Sequence, residues 1–375
     1  MSPQRTGVSP AFATRLVFFI AGFVTAAWAV IVPFARNNTG VNEATLGTLL
    51  LCLGVGALIA MPVTGLLTNK LGCRRVILCA IGFIVLTTPL LSVITDPLLL
   101  AGVLLLFGVG GGVTDCAMNI QAILVEKQSP VPVMSGFHGM YSVGGIAGAG
   151  FLTLLLAMGM SIFAGTLLVT LAVIVMALLS RSGLLTYANP AEGPAFAVPR
   201  GIVLLLGVVC FAVFLTEGTV LDWSAVYLTD YTCFAVAMTA ARLTGDRLIA
   251  WLGRLPVVFG GALIAAAGLA LVTWVPSWQL SLTGYILVGA GCANIVPVMF
   301  SAVGRQTVMP QAAAVPAMTT MGYLGVLSGP AIIGYVAHYS SLSFAFSLIM
   351  ALMIMVGAVS FTLNLSSKTI TAENP

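Results

Sequence analysis

Stretches of about 20 apolar residues, separated by short polar or charged punctuation, recur from one end of the chain to the other. As helices rising about 1.5 Å per residue, each is long enough to cross a hydrocarbon layer about 30 Å thick. The pattern predicts spans at roughly 14–34, 44–67, 76–94, 98–124, 134–157, 160–180, 200–228, 231–249, 256–275, 279–303, 313–337 and 343–364. The eighth is marginal. Only Tyr231 to Ala241 are uncharged between Asp230 and Arg242, a rise of roughly 16 Å, whereas span 2 runs without a charge from Glu43 to Lys70. Helix 8 is therefore expected to be shortened. The first span begins near Thr14, precedes Pro33 and is followed by no small-residue cleavage site, so it reads as a retained span and not a removed signal peptide.

Composition agrees with lipid as the solvent. The 375 residues are 60% hydrophobic and only 6% charged, against about 25% charged in a soluble domain. The net charge of +4 is no nucleic-acid signal here, because its placement carries the meaning. Arg5, Arg15, Lys70, Arg74, Arg75, Lys127, Arg181, Arg200, Arg242, Arg247, Arg254, Arg305 and Lys368 fall on one side of the predicted topology, and Arg36 alone on the other. Lys and Arg favour cytoplasmic loops, so both termini are expected in the cytoplasm. Residues 181–199 include SGLLTYANPAEGPAFAVP, too polar and broken to span, and read as a cytoplasmic linker between six-span units at 1–180 and 200–375. The seven cysteines form no disulfide framework or metal spacing. No nucleophile and base, cofactor motif or metal-ligand grouping suggests an enzyme.

The two units look alike, the internal symmetry common in transporter folds. Span 5 has Tyr141 followed by Gly144 and Gly148; span 11 has Tyr323 followed by Gly325 and Gly329. Span 4 carries glycines from 108 to 112 ahead of Asp115 and Asn119, and span 10 carries Gly289 and Gly291 ahead of Asn294 and Pro297. Trp28 follows Gly22 in span 1 much as Trp223 follows Gly218 in span 7. Single glycine pairs are commonly plain helix packing; their matched order is the informative part.

The segment GLLTNKLGCRR, 65–75, resembles the loop signature between the second and third helices of the major facilitator superfamily through Gly65, Lys70, Gly72, Arg74 and Arg75. That pattern usually has an aspartate where Asn69 stands. The second unit keeps one, in Arg242, Gly245, Asp246, Arg247, Gly253 and Arg254. HGMYSVGGIAGAG, 138–150, and EGTVLDW, 217–223, are similar to the bacterial YbjJ-type subgroup, whose relatives include fucose-permease-like sugar:proton symporters. The resemblance implies an all-α membrane protein with the major-facilitator fold, two pseudosymmetric six-helix bundles around a central cavity, working by alternating access in the bacterial inner membrane. It also implies a cytoplasmic gate at Asn69, Lys70, Arg74, Arg242, Asp246 and Arg247, with Arg242 and Asp246 placed to pair along one helical face. Helix 4 lacks the arginine of the drug:proton antiporters, reading FGVGGGVTDCAMN.

An ionisable group in a span is costly unless it meets a cavity or a partner, so the few present are the functional candidates. A carboxylate withdrawn from water holds its proton to higher pH and can exchange it near neutrality. Glu217 is the favoured coupling or substrate-binding acid; Asp222 lies nearer the outer end. Asp115 and Asn119 share a face of span 4, and His138 starts span 5 at similar depth, so an Asp115 to His138 hydrogen bond is expected, as a proton relay or a structural contact. Trp28, Tyr141, Trp223, Asn294 and Tyr323 are candidates to line the cavity, where flat rings with a polar handle suit a sugar or planar solute. Trp251, Trp274, Trp278 and His338 fall at membrane borders as belt residues. The expected partners are a small organic solute, protons and lipid, in a monomer with no cofactor. The resulting expectation is a proton-coupled carrier of a sugar-like solute; the alternatives are a drug or metabolite efflux carrier and a nontransporting sensor or remnant.

Overall fold

The structure, a computed structural model, describes residues 7–188, 198–227, 232–275, 277–363 and 365, without the side chains of 43–44, 221–227, 232 and 330. The described secondary structure is helical: α1 (Pro10–Thr39), α2 (Glu43–Leu90), α3 (Pro97–Glu126), α4 (Met134–Ala157), α5 (Ile162–Ser180), α6 (Ile202–Tyr227), α7 (Thr232–Leu252), α8 (Arg254–Trp274), α9 (Trp278–Cys292), α10 (Ile295–Val303), α11 (Gln311–Tyr339) and α12 (Leu342–Ser360). Residues 189–197, the middle of the predicted linker, lie outside the described residues.

Local chemistry fixes several helix starts. Ser9 accepts a hydrogen bond from the Phe12 amide ahead of Pro10, and Asp96 accepts from the Leu98 and Leu99 amides ahead of Pro97. Ser161 and Ser341 cap α5 and α12 in the same way. Each side-chain oxygen takes up amides that the helix leaves unbonded, and proline at the first position has no amide to satisfy.

Nine helices qualify as membrane spans by length and apolarity among the described residues, or ten with the bent α11. The 48-residue α2 is counted once there but crosses twice, because Gly72 (φ 79°, ψ 157°) interrupts it. Only glycine takes that backbone geometry without strain, and a side chain at 72 would also strike the carbonyl of Thr186. Span 10 is the broken pair α9 and α10. The marginal span 8 is α7, 21 residues and about 32 Å long. Arg242 does not end this helix but sits inside it, which is why the uncharged run looked so short. The outer arm is nonetheless reduced: Thr232 to Asp246 extends about 21 Å, against about 39 Å from Glu43 to Asn69 in the corresponding arm of α2.

Packing repeats between the halves. In the first, α4 lies along α1, with Gly144 and Gly148 against the carbonyls of Phe19 and Phe23. In the second, α11 lies along α6, with Gly325 against the carbonyl of Phe211. These are the paired glycine faces of spans 5 and 11. The first arm of α2 packs on α3 as α7 packs on α9.

The halves meet at the end of the bundle that carries most of the basic residues. There Asp246 Oδ1 accepts from the Ser135 amide at 2.9 Å and Oδ2 from the Gly136 amide at 2.8 Å. A carboxylate from α7 thus caps the start of α4, where unbonded amides and the helix dipole both favour negative charge. Ser301 donates to Glu126 at 2.6 Å, Lys127 donates to Gln311 at 3.0 Å, and Gly65 lies against the carbonyl of Ala312.

Two outcomes are expected. Gly144→Leu forces a side chain into the α1 backbone and lowers stability by on the order of 1–3 kcal/mol, measured as a drop in the unfolding midpoint in detergent; Gly150→Leu, which faces open space, leaves it unchanged. In a Ser135→Cys background, Asp246→Ala raises the reaction rate of that buried thiol with a polar reagent at least about tenfold; an unchanged rate would show that this carboxylate does not hold the halves together.

Candidate functional site

The centre of the bundle is organised by an arginine. α7 places Arg242, 6% exposed, so that Nη2 donates to Glu217 Oε1 of α6 at 3.1 Å, Nη1 to Ser142 Oγ of α4 at 3.0 Å, and Nε to the Ala293 carbonyl at 3.2 Å. A buried guanidinium is tolerable only when its fork of donors meets acceptors. The acceptor at Ala293 follows from sequence: Pro297, four residues on, has no amide, so that carbonyl is left without its helical donor. Asn294 occupies the break and its Nδ2 donates to the Ala241 carbonyl at 3.1 Å, holding α9 and α10 against α7. Ser142 belongs to the first half and Glu217 to the second, so Arg242 ties the two together at the middle. The Glu217 side chain keeps 13% of its surface exposed.

Across from this pair, Asp115 of α3 is half-buried, and among the described residues no hydrogen bond to its side chain is formed. Asn119 does not bond the carboxylate; its Nδ2 donates to the Asp115 backbone carbonyl at 2.9 Å, and its buried Oδ1 has no partner. Tyr141 and Tyr323, both half-buried, stand within electrostatic reach of Asp115, and Tyr141 also of Glu217 and Arg242. The paired tyrosines of the two halves are thus brought to one region.

Several expected placements are corrected. Arg242 does not pair with Asp246, since its guanidinium turns inward to Glu217 while Asp246, one turn on, caps α4. His138 does not hydrogen-bond Asp115. α4 packs chiefly on α1 and α7 and touches α3 little, which leaves the imidazole between Phe18 and Phe300, ring centroids 5.1 and 5.5 Å away, with Nε2 buried and unpartnered. Trp28 is core, 7% exposed and tilted against Phe107, not cavity lining. Arg74 does not reach across the halves: its Nε and Nη2 donate to the carbonyls of Leu184 and Ser182, fastening the segment after α5 to the first half. Asn69 is half-buried, and Lys70 and Arg247 are exposed, at the basic end. The side chains of Asp222 and Trp223 lie outside the described residues. Trp251, Trp274, Trp278 and His338 are exposed, as belt positions require. Ser142 was not among the sequence candidates; its signal was a hydroxyl directly after Tyr141 on a glycine-rich face.

Residues 15–231 match the sequence profile of the Major Facilitator Superfamily. An uncharacterized MFS-type transporter of Yersinia pestis is 47% identical over 365 residues, covering 94% of this chain and 95% of its own. Membrane protein MosC of Rhizobium meliloti is 30% identical over 362 residues, covering 93% and 88%. Among solved structures, the E. coli fucose:proton symporter FucP superposes with a TM-score of 0.73 at 15% identity, covering 94% of this chain and 98% of its own. FucP in the outward conformation gives 0.77 at 15% identity over 94% and 99%. The proton:xylose symporter XylE gives 0.74 at 12% identity over 94% of each chain. At these identities the structures speak for the fold alone, whereas the sequence match covers more than half of the chain: this protein belongs to the major facilitator superfamily of multi-pass membrane transporters.

Proposed function

We propose that this transporter moves a small organic solute, sugar-like in character, by alternating access coupled to protons. The observation that carries the reading is the buried pair of Glu217 and Arg242, which reaches Ser142 of the opposite half. Protonating Glu217 removes one charge of the pair and weakens its hold on Arg242, which frees the guanidinium to exchange its contact with Ser142 for one with solute or water. A proton is in this way linked to the contact between halves. Asp115, Tyr141 and Tyr323 supply a carboxylate and two rings with hydroxyls on the facing wall, suited to a hydroxylated solute. The choice over efflux of a drug or metabolite accords with the sugar:proton symporters among the proteins that share the fold, and with the absence from span 4, here α3, of the antiporter arginine.

The one-sided basic residues support an orientation with both termini in the cytoplasm of a bacterial inner membrane. Asp246 and its neighbours then form the cytoplasmic gate. Units at 1–180 and 200–375 joined by a linker at 181–199 rock against each other, in a monomer that belongs to the YbjJ-type subgroup. The reduced outer arm of α7 favours one rival, a nontransporting sensor that binds solute without carrying it.

In proteoliposomes under an inward proton gradient, a screen of labelled sugars and polyols is expected to find a solute whose accumulation falls at least about tenfold in Glu217→Gln, with binding retained. Binding without gradient-driven flux in the native protein would assign the sensor instead. Arg242→Ala, which leaves Glu217 as an unpaired buried charge, is expected to destabilise the protein by about 3–5 kcal/mol, whereas Arg242→Ala with Glu217→Gln recovers most of that loss in thermal unfolding.

A further inference from the structure

At the basic end, away from the Arg242 cluster, a cavity of about 530 Å³ opens between the halves. The end of α3 and the loop after it form one wall, from Ile123 to Pro132. The turn from α7 into α8 and the end of α10 form the other. Lys127, Arg254 and Arg305 line it with Glu126 as the single acid. Glu126 Oε2 is already engaged by Ser301, and Lys127 by Gln311. Among the described residues no carboxylate forms an ion pair with Arg254 or Arg305. The two guanidiniums repel each other: burial and then the charge of Arg254 bring Arg305 down to about 10, against the smaller opposing pull of Glu126. Guanidinium forks match the oxygens of a phosphate, singly or in pairs.

Apolar surface lies beside the basic lining: the lining residue Val131 is 55% exposed, and Trp251 and Leu252, next in sequence to the lining residues Ala250 and Gly253, are 81% and 43% exposed. Exposed tryptophan and aliphatic side chains next to basic ones suit a membrane border. We infer that the basic cavity between the halves binds a phosphate-bearing anion, supplied by the headgroup of an acidic phospholipid. Because each half contributes one wall, the ligand binds the state in which this end is closed and holds it closed, by the amount that its affinity differs between states.

The test uses the full chain with its native cysteines replaced and spin labels on Gln128→Cys and Leu248→Cys, one in each half near the cavity. Distances are measured in nanodiscs of zwitterionic lipid, in the same lipid with increasing phosphatidylglycerol, and in zwitterionic lipid with inorganic phosphate. Phosphatidylglycerol is expected to shift the distribution toward the short, closed distance. Arg254→Gln with Arg305→Gln is expected to raise the lipid fraction needed roughly thirtyfold, and Arg254→Lys with Arg305→Lys, which keeps the charge, to retain most of the effect. A shift produced by inorganic phosphate and not by the lipid keeps the anion site but overturns the lipid as its source. The site itself is overturned if the native chain ignores both, or if the glutamine variant responds as the native chain does.

Discussion

A permanent positive charge in the middle of a membrane bundle must be surrounded by acceptors, and much of this structure follows from how Arg242 is surrounded. Arginine keeps its proton, so the chain cannot relieve the cost by neutralising it. It instead supplies a carboxylate from α6, a carbonyl released by Pro297 and a hydroxyl from the opposite half. Each provision constrains something larger. The carbonyl requires the interruption between α9 and α10, the carboxylate sets the rotation of α6, and the hydroxyl sets how closely α4 approaches α7.

The halves resemble each other in backbone and divide the chemistry between them. Gly144 and Gly148 of α4 lie against the backbone of α1 as Gly325 of α11 lies against that of α6, and Tyr141 and Tyr323 stand within electrostatic reach of each other. The charges are not shared in this way. The first half brings a carboxylate without a bonded partner, Asp115, whereas the second brings a complete ion pair. At the basic end the same inequality recurs, since the second half offers Asp246 to the amides of α4 where the corresponding position of the first half is Asn69.

Most of the architecture was legible in the sequence because apolar length and glycine spacing are local and periodic, and of the paired glycines of spans 5 and 11, Gly144, Gly148 and Gly325 are close contacts with the backbone of the neighbouring helix, while Gly329 has room around it. What misled was charge. Arg242 was expected at the cytoplasmic gate, paired with Asp246 on its own helix; only the three-dimensional partners, from residues 142, 217 and 293, explain its inward turn. The expected bond between Asp115 and His138 rested on adjacency through a short loop. Consecutive helices need not pack along their length, and here α4 turns its histidine toward α1 and α10. Trp28 failed as cavity lining for a related reason: an aromatic ring on a glycine-bearing helix fits the core and the cavity equally well until the helix rotation is known. Pro297 is the opposite case, since the loss of one amide donor is certain from sequence and only the arginine that exploits it was hidden.

Among the buried atoms that lack partners, Nε2 of His138, Oδ1 of Asn119, Oδ1 of Asn294 and Oγ of Ser135 lie on helices that meet at or near the seam between the halves. Each such atom costs about 1–3 kcal/mol relative to being wetted. The seam therefore carries, within its own construction, a penalty of the same order as the carboxylate caps and side-chain bonds that fasten it. Parting the halves would let water reach such atoms, which narrows the free-energy gap between the packed arrangement and one in which the halves have moved apart.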